Sequence, residues 1–192
     1  MPARVKKSAP VLRLGLNFGA PGDRRDDSGT LWLDCPSVGG PSPDVPVAFE
    51  PSLPGKKNAF AGRTFRHHAA TIVEGSPAWV AASGLLGVTG IRITLAETVA
   101  KSRPYTVRLY FAEPELEAGS GDRVFDVALQ GQPVLTDFDV AAEAGGPRRV
   151  VVRQFEQVAV ADTLQIGFAP KSGEPLICGV EVIQEPADQD GP

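Results

Sequence analysis

Residues 105–113 read YTVRLYFAE, and this stretch decides the fold class. Tyr105, Val107, Leu109 and Phe111 fall on one side of an extended chain, with Thr106, Arg108 and Tyr110 on the other. Side chains alternate between the two faces of a strand, so this period of two predicts a strand with one buried face. The pattern recurs outward in both directions. VFDVAL sets Phe125, Val127 and Leu129 against Asp126, and IRITL aligns Ile91, Ile93 and Leu95. TLQIGF aligns Leu164, Ile166 and Phe168, and LICGVEVI aligns Leu176, Cys178, Val180 and Val182. Turn formers separate these runs: Gly119 and Gly121, Gly131, Gly145-Gly146-Pro147, and Ser172-Gly173. No stretch carries apolar residues at helical spacing. Strands at roughly ten-residue intervals with turns between them predict an all-β, antiparallel β-sandwich.

Composition agrees. The 192 residues suit one domain, and a chain of this length buries enough surface to fold without a metal or disulfide. The 21 glycines and 18 prolines are too many for a helical protein, and fit short strands joined by turns. The first third reads differently. Residues 35–58 hold six prolines, which sit badly inside a sheet, yet Val38, Val45, Val47 and Phe49 are interleaved among them. This segment reads as a flexible linker or as an arm laid over the domain surface. The domain reading is a tail at 1–10, a sandwich over 11–183 that includes the arm, and a disordered tail at 184–192, where QEPADQDGP has almost nothing to bury.

Nineteen basic against 23 acidic residues give a net charge of −4, and no basic stripe exists to neutralise phosphates, so nucleic acid is not an expected partner. No apolar run approaches the roughly 20 residues that span a bilayer. The alternating opening reads as a first strand and not as a signal peptide, which leaves location open; an extracytoplasmic place follows if the chain is cut from a longer secreted protein.

Residues 105–183 resemble the malectin family. YTVRLYFAE, a short loop and DRVFDVALQGQPVLTDFDV follow that family's strand–loop–strand–turn–strand order, and ADTLQIGF and PLICGVEVI continue it. LRLGLNFGAPG is similar to its first strand and Gly-containing loop. GTLWLDCPSVGGPSPDVPV and FRHHAATIVEGSPAWVAASG resemble malectin-like regions of large bacterial proteins, some with a quinoprotein-like β-propeller. The resemblance implies a jelly-roll, galactose-binding-like sandwich whose end loops bind glucose oligosaccharides on aromatic side chains and an acidic residue. The aromatic pair after FAE falls at Glu115 and Leu116, the acidic position falls near Gly173 with Glu174 adjacent, and Trp32 is placed to supply an aromatic ring.

The residues offer these candidates. Sugar recognition needs flat aromatic faces for the C–H side of a pyranose, and carboxylates or amides for its hydroxyls. Trp32, in TLWLD, fits a platform or the core; Trp79, in SPAWVAASG, reads as a buried anchor. Glu115, Glu117 and Asp122 crowd the loop PELEAGSGD as a hydroxyl-binding rim or a solvated hairpin loop, and Glu174 joins them as an acceptor. His67 and His68 are adjacent, so a strand turns them to opposite faces and they cannot share a metal; His67 is a candidate pocket residue. The loop DRRDDSG departs from calcium-loop spacing and reads as a solvated turn. Cys35 and Cys178 read as two buried thiols, with a disulfide between them left open. No cofactor or catalytic signature is present: no G-x-S-x-G, Gly-rich phosphate loop or H-E-x-x-H. The expected function is a non-catalytic module that binds oligosaccharide through Trp32, His67, Glu115, Asp122 and Glu174. The rival is an architectural or docking module of a larger multidomain bacterial protein, which contacts a neighbouring domain or another protein through the arm.

Overall fold

The computed structural model describes residues 10–37, 43, 45–56, 59–97 and 101–186. In chain order its strands are β1 (Arg13–Phe18), β2 (Arg24–Arg25), β3 (Leu31–Cys35), β4 (Val47–Glu50), β5 (Arg63–Arg66), β6 (Ser83–Leu86) and β7 (Gly90–Thr94). The later ones are β8 (Arg103–Phe111), β9 (Val124–Leu129), β10 (Gln132–Asp139), β11 (Val151–Val160), β12 (Thr163–Ser172), β13 (Leu176–Ile177) and β14 (Gly179–Gln184). They form a six-stranded sheet ordered β11-β8-β14-β1-β3-β2, a five-stranded sheet ordered β10-β9-β12-β7-β4, and a small sheet ordered β13-β6-β5.

The two large sheets stack face to face, as the expected sandwich requires. Phe111 of β8 meets Phe138 of β10 at 4.9 Å between ring centroids, and Phe18 of β1 meets Phe49 of β4 at 6.1 Å. The alternating rows fill the space between: Tyr105, Val107, Leu109 and Phe111 from one sheet, and Ile91, Ile93, Phe125, Val127, Leu164 and Ile166 from the other, are all buried. Burying a Val, Leu, Ile or Phe side chain contributes about 1.5–3 kcal/mol each, so these rows hold the sheets together. One pairing departs from the antiparallel rule, since β1 runs parallel to β3.

The proline-rich segment is neither a linker nor a loose arm where it is described. Val47–Glu50 is an edge strand of the five-stranded sheet, with Val47 opposite Ile93 and Phe49 opposite Ile91. Both side chains are buried. An edge strand tolerates nearby prolines because one row of its backbone donors has no partner to lose. Val38 lies outside the described residues, as does most of the C-terminal tail. Gln184 and Glu185, assigned to that tail from the sequence, are held: the Gln184 amide donates to Leu12 at 2.7 Å and the Glu185 amide to Pro104 at 2.9 Å.

Short helical pieces also interrupt the strands, α1 (Ala78–Ala81), α2 (Val140–Ala144) and a 3-10 turn at Ala70–Ile72. A helix of one turn is too short to show a period, but α2 carries its ends in the sequence. The Asp139 carboxylate accepts the Ala142 amide at 3.0 Å, and Gly145 closes the helix at φ 70°.

Tyr110 shares its side of β8 with Thr106 and Arg108, yet it is 5% exposed. Its face of the six-stranded sheet is covered by Trp32, whose ring meets Tyr110 at 5.3 Å. Trp32 is itself 1% exposed, which corrects its reading as a ligand platform. The cause is a slot without side chains. A Cβ on Gly15 would stand 2.2 Å from the Trp32 ring, and one on Gly179 would stand 3.2 Å from it. The indole lies across β1 and β14 because those two positions are glycine, and a ring packed on both sides offers no face to a ligand.

Candidate functional site

The loops from β1 to β3 build one wall of the site. Asp26 organises them: its Oδ1 accepts the amides of Ser28 and Thr30 at 2.9 and 3.0 Å, and its Oδ2 accepts the Trp32 indole N–H at 2.9 Å. Burial acts to raise its pKa, but bonds from Ser28, Trp32 and Thr30 outweigh it and hold the carboxyl below the usual range. Thr30 then donates to the buried carboxylate of Glu181 at 2.6 Å, which also receives Arg108 at 3.0 Å and the Tyr110 hydroxyl at 3.1 Å. Asp26 thus holds the loop as an acceptor, and the described residues hold no group of three His, Cys, Asp or Glu side chains arranged for a metal. The loop is pinned at both ends, which fixes where Arg24 stands.

Beside this wall lies a cleft of about 620 Å³. It opens among the β1–β2 loop, the end of β5 and α1, and its lining includes Asn17, Arg24, Arg66, His67, Trp79 and Ser83. Trp79 is half-buried, edge-on to Trp32 at 5.3 Å, and the Arg24 guanidinium lies 4.7 Å above its ring. Asn17 is buried beneath, donating to the Trp79 carbonyl and accepting the Ser83 hydroxyl, both at 3.4 Å. Burial, then the charges of Arg148 and His68, push the His67 pKa below its ordinary value. A neutral imidazole both donates and accepts, which suits it to a hydroxyl.

Of the residues expected from the sequence, His67 lines this cleft. Glu115, Asp122 and Glu174 do come together, around a separate depression of about 370 Å³ that no aromatic side chain lines. Their carboxylates have partners there. Glu115 lies 3.9 Å from Arg123, Asp122 accepts the Gly119 amide at 2.8 Å, and Glu174 pairs with Arg63. Of the two tryptophans, Trp32, read as platform or core, is core, and Trp79, read as a buried anchor, lines the cleft. The signals for this were Gly15 and Gly179, which open the slot for one ring, and the SPAWVAASG turn, which lifts the other towards the loops.

The FAE and DRVFDV motifs meet in a buried ion pair. Glu113, wholly buried, accepts the Arg123 Nε at 2.6 Å, and Arg123 also donates to the Glu174 carbonyl. That pair ties β8 to the start of β9 and to the loop before β13, in the strand order of the motif. Residues 94–186 match the malectin domain.

The match spans β8 to β14, a little under half of the chain. "Receptor-like protein 4" of Arabidopsis thaliana is 31% identical over 94 residues, 48% of this chain and 15% of that protein. Among solved structures, the ANXUR2 extracellular domain from Arabidopsis thaliana superposes with a TM-score of 0.66 at 15% identity, over 91% of this chain and 49% of that one. A Bacteroides uniformis beta-glucuronidase superposes with a TM-score of 0.65 at 15% identity, over 91% of this chain and 18% of that one. At such identities the likeness shows the β-sandwich fold alone. The chain therefore spans a small part of the curated relative and about half of the receptor ectodomain.

Cys35 and Cys178 are free thiols, both buried. Burial pushes each pKa up to about 12, so both are inert packing groups.

Proposed function

We propose that the protein is a non-catalytic carbohydrate-binding module that takes an oligosaccharide in the Trp79 cleft. The observation that carries this reading is a partly exposed indole in the wall of a cleft that His67 also lines. The C–H face of a pyranose packs on an aromatic ring, and its hydroxyls bond to the neutral imidazole of His67. Each such bond replaces one to water, with a small net gain, so affinity lies in the roughly micromolar to millimolar range. Glu115, Asp122 and Glu174 form a second rim whose carboxylates already have protein partners, and they are placed outside the platform.

Calorimetric titration with glucose di- and trisaccharides and other hexose oligomers tests this. Saturable binding by at least one oligomer is expected, weakened about tenfold or more by Trp79→Ala while the fold is retained. Flat titrations throughout, or unweakened binding by Trp79→Ala, contradict the reading. The docking alternative loses its support where Val47 and Phe49 are buried in their own sheet. We further read the module as one domain of a longer protein, a reading supported by the small share of its curated relative that it spans.

A further inference from the structure

We propose that Arg24 makes the Trp79 cleft selective for saccharides that carry an anionic group. This rests on the cleft being the saccharide site. The chain as a whole is acidic, at −4, yet the described lining of this cleft holds Arg24 and Arg66 against one carboxylate, Asp23. The Asp23 Oδ1 accepts the amide of Asp34 at 3.0 Å, which ties it to the loop wall.

The position of Arg24 turns this imbalance into selection. Its guanidinium covers the Trp79 ring at 4.7 Å, on a face that a stacking sugar needs. Trp32 meets the indole in a T-shaped contact at 5.3 Å. A neutral pyranose that stacks on the Arg24 face displaces the guanidinium and leaves its charge to water. A sugar bearing a carboxylate or sulfate gives the displaced guanidinium a partner for two parallel N–H···O bonds, so the lost cation–π contact is replaced. Arg24 moves readily because its side chain is exposed, whereas its backbone is held by pairing with Trp32. Arg66, at the end of β5, adds a second positive group to the same cleft.

The test is a matched set: cellobiose, cellobiouronic acid, which differs from it by one carboxylate, and cellobiose 6′-sulfate. Each is titrated into the full chain and into Arg24→Gln, at low and at high salt. At low salt the uronate, the sulfate or both are expected to bind at least about tenfold more tightly than cellobiose, as a charge-assisted bidentate contact allows. The arm that shows the larger ratio identifies the anionic group. Salt is expected to reduce the ratio, and Arg24→Gln to bring it close to one. Equal affinity for all three, or a preference that survives in Arg24→Gln, overturns this inference while leaving the carbohydrate reading in place. Binding of none of the three, nor of any neutral hexose oligomer, overturns both.

Discussion

Trp32→Ala is expected to lower the free energy of unfolding by about 3–5 kcal/mol, the usual cost of emptying a buried aromatic site. Three contacts make the loss severe. The ring fills the slot over Gly15 and Gly179, packs edge-on against Trp79 and Tyr110, and anchors the β2–β3 loop through Asp26. Gly15→Ala attacks the same slot from the opposite side. Its methyl would enter the indole at 2.2 Å, and such overpacking costs about 1–3 kcal/mol or more. Urea unfolding should show a lower midpoint with an unchanged slope for both variants. A Trp32→Ala protein as stable as the parent would mean that the ring is not part of the core.

The second large effect is at Glu113. Glu113→Ala leaves the Arg123 guanidinium buried without its carboxylate, and breaking a buried pair in this way costs about 3–5 kcal/mol. Arg123 is 8% exposed and reaches the Glu174 carbonyl as well, so the loop before β13 should loosen along with β9. Replacing both partners, as Glu113→Leu with Arg123→Met, should recover much of the loss, because no lone charge then remains inside. Denaturant melts of the two proteins decide the point. A double variant no more stable than Glu113→Ala would show that packing at this site, and not an orphaned charge, sets the cost.

The inner faces of the sandwich were legible because a period of two survives in β7, β8, β9 and the first half of β12. Phe125, Val127 and Leu129, for example, are buried and alternate with less buried neighbours. The outer cover of the six-stranded sheet was not legible. Tyr110 sits in a polar row, and its burial depends on Trp32, a residue far away in the chain. Trp32 in turn depends on two glycines on two other strands, and glycine in a strand reads locally as weakness. β4 was missed because four residues between prolines give almost no alternation, although Val47 and Phe49 were already noted there. The candidate site was legible in part. His67 was expected to line a pocket and does line the cleft. Trp79 looked like an anchor because the SPAW turn gives no sign of which side of the ring faces out. Glu115, Asp122 and Glu174 come together around one depression without Trp32, and their partners Arg123, Arg63 and the Gly119 amide were invisible without the fold.

The most direct test of the central claim is a ¹⁵N–¹H correlation spectrum of the full chain, recorded during titration with an oligosaccharide that binds. The two tryptophans supply two indole N–H signals, one from the buried, Asp26-bonded Trp32 and one from Trp79. Binding at the cleft predicts that the Trp79 indole moves most, together with the backbone signals of Asn17, Arg24, His67 and Ser83. Saturating shifts confined to the loop of Glu115, Asp122 and Glu174, with the Trp79 indole unmoved, would contradict it.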